Sequence, residues 1–394
     1  MAYNQIEMRG MWISSVVNLD WPSSLTLGIS DNARRIQMQK AELLRILDEI
    51  AGMGMNTAIF QVKPCADALY HSKLLPWSQY LTGVLGKSPG FDPLAYAVEQ
   101  AHARGLALHA WLNPYRVSMN TGPATVNMLN HVHADSPASI FTHRPDWIGV
   151  AYDRFMLNPG IPEVRTWIVD VVKEIVSNYA VDGVQFDDYF YYESASSKLD
   201  DEATYGEYGE GFDNKADWRR DNTYRLIKDI SEALHDAKRV VQFGVSPSGV
   251  WRNQRDDLLG SDTQAGAPHY DVAFADTLRW IHEGLIDYIV PQIYWPFARR
   301  VARYDVIARW WNDVVAKSST KLYVGMALYK VGQMNPSEPD WTVEGGVPEI
   351  QRQLDLNASL PHIDGCLLFR HSFLREPNVN RVVEYLRRRW ENKV

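Results

Sequence analysis

The stretch Asp182-Gly-Val-Gln-Phe-Asp-Asp-Tyr189 decides the fold assignment. Its apolar side chains, Val184 and Phe186, suit a buried strand, whereas two adjacent carboxylates are costly to bury without partners. We therefore expect the strand to end at Asp187 and Asp188, beside a cleft. Carboxylates held close together repel, which raises one of their pKa values. Acid–base chemistry on a sugar requires such a separation of pKa values.

Outward from this strand, apolar runs alternate with helical patterns along the whole chain. The other predicted strands cover residues 9–16, 57–62, 107–114, 240–247, 286–295, 321–328 and 364–371. Helical spacing of apolar residues predicts helices near 38–53, 92–104, 162–175, 217–236, 271–283, 303–316, 346–358 and 377–390. Eight such units predict an α/β fold, a closed (β/α)8 barrel of parallel strands. We expect one domain over residues 1–394, with long inserted loops after strands three, four and five.

The amino-acid composition limits the classes of function that we expect for this protein. The 394 residues carry a net charge of −8, which argues against nucleic-acid binding, because that requires a basic face. No apolar run approaches the length of about 18 residues that a membrane-spanning segment needs. The chain contains 14 Trp and 20 Tyr, and such side chains stack on the C–H faces of sugar rings.

Two further features concern the cellular compartment. Residues Met1 to Met8 are polar and contain no apolar signal core, so we expect either a cytoplasmic protein or one whose export signal has been removed. Cys65 and Cys366 are predicted at opposite ends of the barrel, so we expect no disulfide between them.

In a (β/α)8 barrel the active site lies at the carboxyl ends of the strands. Most predicted strands end in polar or aromatic side chains that suit sugar hydroxyls or ring faces. The candidates for substrate binding at these ends are Trp12, Gln61, Lys63, His109, Trp111, Asn113, Arg116, Tyr189, Gln292, Tyr294, Trp295 and Arg370.

The catalytic candidates are Asp187 and Asp188. An ordinary glycosidase needs a second, separate carboxylate, but none follows strands five to eight, and Glu193 and Glu283 are poorly placed. Substrate assistance removes this need, because the 2-acetamido group of an N-acetylated sugar attacks its own anomeric carbon. We assign Asp187 to orienting that amide and Asp188 to acid–base work, and Tyr294 could donate a hydrogen bond to the acetamido oxygen.

No metal or cofactor is predicted. His131-Val-His-Ala-Asp135, with His143 nearby, has the spacing of metal ligands on an extended segment, but it lies in an inserted loop without a fixed third ligand. We interpret these residues as ordinary loop histidines. The sequence also contains no phosphate-binding glycine loop, nucleophile elbow or zinc-type cysteine set.

Several motifs together resemble the glycosyl-hydrolase-like ten family of bacterial envelope proteins. They are Arg9-Gly-Met-Trp12, Asn56-Thr57 with Gln61-Val62, His109-Ala-Trp-Leu-Asn-Pro114, the stretch 182–189, Pro291-Gln-Ile-Tyr-Trp295, and Gly365 to Arg370. The resemblance spans about residues 7–390. It implies a (β/α)8 barrel that hydrolyses N-acetylated cell-wall glycan, including peptidoglycan strands stripped of their peptides, in the cell envelope or outside the cell.

The same resemblance assigns roles to individual residues. It matches Asp187 and Asp188 to the acidic pair. It matches further residues to the cleft, namely Arg9, Trp12, His109, Asn113, Gln292, Tyr294 and Trp295. Family members usually carry an export or lipoprotein signal, and we expect no such signal in the polar residues Met1 to Met8.

Two other functions remain open. The barrel could bind glycan without cleaving it. It could also hydrolyse a neutral α-glucan, since amylase-like barrels place an Asp after strand four. That second alternative expects a Glu after strand five, where Ser246-Pro-Ser248 stands instead.

Overall fold

Eight parallel strands form a closed barrel at the centre of the computed structural model, which describes residues 7–236 and 240–391. The strands are β1 (Met8–Ile13), β2 (Thr57–Lys63), β3 (Ala107–Leu112), β4 (Gly183–Phe186), β5 (Gln242–Val245), β6 (Tyr288–Ile289), β7 (Lys321–Met326) and β8 (Ile363–Leu368). Consecutive strands pair, and β8 closes the barrel on β1, with Arg9 beside Cys366. The predicted (β/α)8 fold is confirmed.

Helices connect the strands on the outside of the barrel. They are α1 (Asn32–Gly52), α2 (Pro93–His102), α3 (Pro162–Asn178), α4 (Lys215–His235), α5 (Thr277–His282), α6 (Tyr304–Val315), α7 (Val347–Ser359) and α8 (Asn380–Trp390). α1 begins at Asn32 rather than at residue 38, because the Asp31 carboxylate caps it by accepting from the N–H groups of Ala33 and Arg34. The helix predicted over 271–283 is instead two pieces, because Phe274 between them is left-handed, with φ 52°.

The inserted loops carry structure of their own. The segment between β3 and α3 contains helices Pro123–Asn130 and Ile140–His143 and an antiparallel hairpin, Ile148–Ala151 with Arg154–Leu157. Other short helices are Gln79–Thr82, Glu202–Tyr208 and His269–Val272. Single 3-10 turns occupy Val16–Asn18, Ser24–Thr26, Pro145–Trp147, Leu328–Lys330, Pro339–Trp341, Val343–Gly346, His371–Arg375 and Pro377–Val379.

The barrel interior forms a separate buried cluster, which includes Met8, Ile59, Val290, Tyr323 and Leu367. A chain of hydrogen bonds crosses it, which we call the interior chain. The Trp12 indole donates to Gln185 Oε1 (2.7 Å), Gln185 Nε2 donates to the Tyr288 hydroxyl (3.1 Å), and that hydroxyl lies 2.8 Å from His109 Nδ1. Gly183 leaves room for the His109 ring, since a Cβ there would lie 2.4 Å from Nδ1.

Both cysteines are buried, and neither forms a disulfide within the described ranges. Among the helices within the described ranges, none is long and apolar enough to cross a membrane.

Candidate active site

Asp187 begins the loop after β4, and three donors hold its carboxylate. Oδ2 accepts from Trp111 Nε1 (3.1 Å) and from Asn113 Nδ2 (3.3 Å), and Oδ1 accepts from the Tyr189 N–H (3.3 Å). The side chain is buried. Burial raises the pKa of Asp187 to about 6, while the nearby Arg116 guanidinium and the three donors oppose the rise. The carboxylate is therefore fixed in one orientation.

Asp188 is more accessible than Asp187. Burial, followed by the negative charge of Asp187, raises the pKa of Asp188 to about 7, against a lowering hydrogen bond from the Gln292 side chain. The Asp188 main-chain carbonyl lies 2.9 Å from Nε2 of His269. Burial lowers the pKa of His269 to about 4, so this imidazole is neutral and its Nε2–H donates. Asp188 can consequently hold a proton near neutral pH, in a position that His269 helps to fix.

Two cations support the wall that carries Trp111 and Asn113. Lys63 is fully buried and donates from Nζ to the Asn113 carbonyl (2.8 Å), and burial lowers its pKa to about 8. Arg116 donates from Nε to the Pro64 carbonyl (2.8 Å), and its guanidinium lies 5.3 Å from the Tyr189 ring centre. Lys63 therefore holds the backbone of the site, whereas Arg116 reaches the acidic pair.

The segment after β6 forms the opposite wall. Gln292 Nε2 donates to the Ser246 carbonyl (3.1 Å), which ties this segment to the end of β5. The half-buried Tyr294 ring stacks on Phe369, with centres 5.9 Å apart, and burial raises the pKa of its hydroxyl. Trp295 is half-buried as well and packs over Gly249, where a Cβ would lie 2.9 Å from its ring.

Three of the predicted contacts lie away from this site. Arg9 sits near the start of β1, at the opposite end of the barrel, where its Nε donates to the Gly54 carbonyl (2.6 Å). Trp12 and His109 point into the barrel and belong to the interior chain. The cleft position that the resemblance implies for Arg9 is wrong, because its side chain lies at the amino-terminal end of its strand. The indole of Trp12 and the imidazole of His109 bond to Gln185 and Tyr288 inside the barrel rather than at the rim.

Gln61 and Arg370 reach the rim but are engaged by the protein. Gln61 Oε1 accepts from the N–H groups of Ser15 and Val16 (both 2.9 Å), so it shapes the loop after β1. Arg370 forms an ion pair with Asp20 (2.6 Å). The structure thus brings Trp111, Asn113, Arg116, Tyr189, Gln292 and Tyr294 around Asp187 and Asp188, with Trp295 on the same segment as Gln292.

The two glutamates weighed as partner carboxylates are engaged elsewhere. Glu193 pairs with Arg219 (3.0 Å), and Glu283 pairs with Arg279 (2.9 Å) at the end of α5. The charge that acts most strongly on Asp188 is that of Asp187 itself.

Sequence reasoning missed the covering hairpin. Its turn brings Tyr152 against Tyr192 (ring centres 4.4 Å apart), and Tyr192 in turn packs on Tyr189 (4.4 Å). The aromatic run after Asp188 signalled that rings would cluster here, but no pattern in residues 148–157 pointed to the partner. His269 was also missed, since a single histidine in a loop carries no local signal.

The histidine-rich loop forms no ligand cluster. His131 Nδ1 lies 2.8 Å from the Asn127 carbonyl, and His133 lies 3.3 Å from the Asp135 carboxylate. Across residues 7–236 and 240–391, no group of three or more His, Cys, Asp or Glu side chains is arranged to hold a metal ion.

A closed (β/α)8 barrel with an acidic pair and aromatic walls at its carboxyl-end rim has the architecture of a glycoside hydrolase. The model of the glycosyl hydrolase-like 10 family matches residues 7–343, and the chain belongs to that family. It is 52% identical over 383 residues to glycosyl hydrolase DigH of Escherichia coli (strain K12), covering 97% of this chain and 87% of that protein.

The chain is also similar to a second bacterial protein in sequence and to a solved structure in fold. Glycosyl hydrolase YngK of Bacillus subtilis (strain 168) is 44% identical over 381 residues, which is 96% of this chain and 70% of that protein. The glycoside hydrolase domain of PgaB (BpsB) from Bordetella bronchiseptica superimposes with a TM-score of 0.53 at 14% identity, covering 97% of this chain and 98% of that domain. At that identity the superposition shows a shared fold.

Proposed function

We propose that the protein is a glycoside hydrolase that cleaves glycans containing N-acetylhexosamine, namely cell-wall glycan and in particular peptidoglycan strands without peptides. The observation that carries the proposal is the acidic pair: a fixed carboxylate, Asp187, lies beside a carboxyl, Asp188, whose pKa is raised to about 7. The family membership and the names of the two bacterial relatives support hydrolysis.

In this proposal Asp188 is the general acid and base. Its raised pKa keeps a large fraction of it protonated near neutral pH, so it can protonate the leaving glycosidic oxygen. Once that proton has left, the carboxylate takes a proton from the incoming water. Its greater exposure compared with Asp187 suits a group that must meet both substrate and water.

Asp187 orients the acetamido group. Its carboxylate accepts from Trp111, Asn113 and the Tyr189 N–H, so its position does not depend on substrate. Accepting the N–H of the 2-acetamido group would direct the amide oxygen at the anomeric carbon and stabilise the positive charge that develops on the amide. Displacement by this oxygen and then by water retains the anomeric configuration.

The aromatic and amide side chains of the opposite wall are the proposed substrate contacts. The hydroxyl of Tyr294 supplies a donor near Asp188, and the negative charge of Asp188 contributes to the raised pKa of that hydroxyl. Trp295 offers a ring face for a sugar, and Gln292 lies against Asp188. The polysaccharide is the proposed partner, and we propose the cell envelope or the extracellular space as the location because the substrate lies there.

The activity is tested with a peptide-free peptidoglycan strand and with an N-acetylglucosamine oligosaccharide. We expect shortened oligosaccharides by mass spectrometry, and none from an α-glucan, because an α-glucan has no acetamido group. Absence of products from every N-acetylated glycan, combined with measurable binding, would favour the non-catalytic glycan-binding barrel.

Acetamido assistance has its own test. We expect a de-N-acetylated polymer to be cleaved far more slowly than its acetylated counterpart, because it lacks the internal nucleophile. Equal rates on the two polymers would contradict this mechanism without contradicting hydrolysis.

A further inference from the structure

The hairpin over the acidic pair carries an arginine without a counter-charge. Arg154 is half-buried, and within the described ranges it forms no ion pair with a carboxylate. Its guanidinium lies 5.3 Å from the ring centre of Tyr152 and 5.6 Å from that of Tyr192. Arg144 in the same insertion also covers an aromatic ring, but it is paired with Asp146 at 2.6 Å. Arg154 therefore keeps its hydrogen-bond donors available.

Arg154 lies close to the proposed chemistry. The Tyr192 side chain is influenced electrostatically by both Arg154 and Asp188, so one ring separates the cation from the proposed acid. Arg154, Tyr192 and Asn113 also line one crevice of about 20 Å³, and Asn113 contacts Asp187. Arg154 thus lies one aromatic ring away from the proposed acid, on the side of the site that also carries Asn113.

The hairpin is held in position by the neighbouring loop. Its turn residues, Tyr152 and Asp153, are both left-handed, with φ of 52° and 55°, a conformation that non-glycine residues rarely adopt. The Tyr152 N–H donates to the Ser197 carbonyl (2.9 Å), and the Asp153 N–H donates to Ser197 Oγ (2.8 Å). The loop after β4 therefore fixes the turn from which Arg154 projects, and a preorganised donor loses little entropy on binding.

We propose that Arg154 binds a carboxylate substituent of the glycan, so that the enzyme prefers an N-acetylated strand bearing free carboxylates over a neutral one. This inference rests on the proposed function and deepens it. A guanidinium pairs with a carboxylate through two parallel hydrogen bonds. An amide at the same position carries no charge and has only one oxygen, so it cannot accept two parallel hydrogen bonds from the guanidinium. Arg154 would thus distinguish strands with free carboxyl groups from strands whose carboxyls are joined to peptides.

The test compares three N-acetylated substrates: an N-acetylglucosamine oligosaccharide, a peptide-free peptidoglycan strand, and the same strand with its carboxyls converted to amides. For Arg154→Gln we expect kcat/KM on the free-acid strand to fall about tenfold or more, the size of a lost charge-assisted hydrogen bond, with about twofold change on the other two. Arg154→Lys should restore part of the loss because it keeps the charge. Arg144→Gln is the matched control and should leave the substrate preference intact.

Equal losses on the free-acid and amidated strands, or no loss on either, would overturn the role of Arg154 while leaving hydrolysis in place. If the wild-type protein cleaves none of the three, the proposed function fails, and titration calorimetry of the same ligands decides the inference separately. Tighter binding of the free-acid strand than of its amide, lost in Arg154→Gln but not in Arg144→Gln, would uphold it. Equal binding of the two strands would reject it.

Discussion

The interior chain and the acidic pair lie in neighbouring layers of one barrel, yet burial affects their polar groups differently. The groups of the interior chain stay neutral and bond to one another, whereas the acidic pair keeps ionisable carboxyl groups. In the interior chain the Trp12 indole and the Gln185 amide each donate to a buried acceptor, and burial lowers the pKa of His109 to about 4, so the chain stays uncharged. At the rim, the pKa values of Asp187 and Asp188 are raised because two acids share a poorly hydrated place.

This difference separates structural polar groups from reactive ones. A buried network whose members satisfy one another stabilises a single packing, and it offers nothing to a substrate. A carboxyl whose charged form is disfavoured, and which remains partly accessible, is available for proton transfer. The following predictions test that contrast, beginning with the largest expected effect.

Asp188→Asn should lower kcat on an N-acetylated glycan by about 10²–10⁴-fold, the usual contribution of a general acid or base. Mass spectrometry of timed digests measures the loss. Asp200→Asn, which changes an exposed aspartate of the same loop, is the control and should stay within about twofold of the wild type. A comparable loss in both variants would show that the loop, rather than the acid, is being damaged.

Asp187→Asn should lower kcat by about 10²–10³-fold, because the acetamido group loses the charge that stabilises it. The variant should also change the pH profile of the remaining activity. The negative charge of Asp187 is one cause of the raised pKa of Asp188, so its removal should move the alkaline limb to lower pH. An unmoved limb would mean that Asp188 is not the acid.

Tyr288→Phe addresses the interior chain. Without its hydroxyl, His109 Nδ1 and Gln185 Nε2 each lose a partner in a buried place. We expect the free energy of unfolding in urea to fall by about 1–3 kcal/mol, while kcat of the folded enzyme stays within about threefold. A large fall in kcat at unchanged stability would place the interior chain in the catalytic machinery instead.

The same contrast explains which features the sequence could predict. The barrel and its strand order followed from alternating apolar runs, because parallel strands buried on both faces show as such runs. The acidic pair followed from two charges that a strand cannot bury. These are local properties of short segments, and they can be recognised in a sequence without knowledge of tertiary contacts.

The wrong predictions concern residues whose positions depend on side-chain orientation or on contacts with distant parts of the chain. Trp12 and His109 were placed at the rim because their strands reach it, but the Trp12 indole donates to Gln185 and the His109 ring bonds to Tyr288 inside the barrel. The hairpin that carries Arg154 and the imidazole of His269 meet the site from insertions far along the chain. Single-residue contacts of that kind leave no periodic pattern in a sequence.

The smallest predicted effect is a change in the free energy of unfolding, which compares the acidic pair at the rim with the interior chain. The folded-state pKa of Asp188 is raised, so the folded protein binds this proton more tightly than the unfolded chain does. The resulting stability is fully present below the unfolded pKa of about 4 and is lost as the pH rises through about 7. Asparagine cannot ionise, so Asp188→Asn should be no more stable than the wild type near pH 4 and more stable above pH 7, by on the order of 1 kcal/mol.

Urea unfolding of both proteins between pH 4 and pH 8 measures this difference, and Asp200→Asn again serves as the control. A gain that grows with pH only in Asp188→Asn would show that the rim holds a carboxyl group at the expense of stability, whereas the interior chain adds to stability. A gain independent of pH would instead assign it to side-chain packing, and the raised pKa would lose its support.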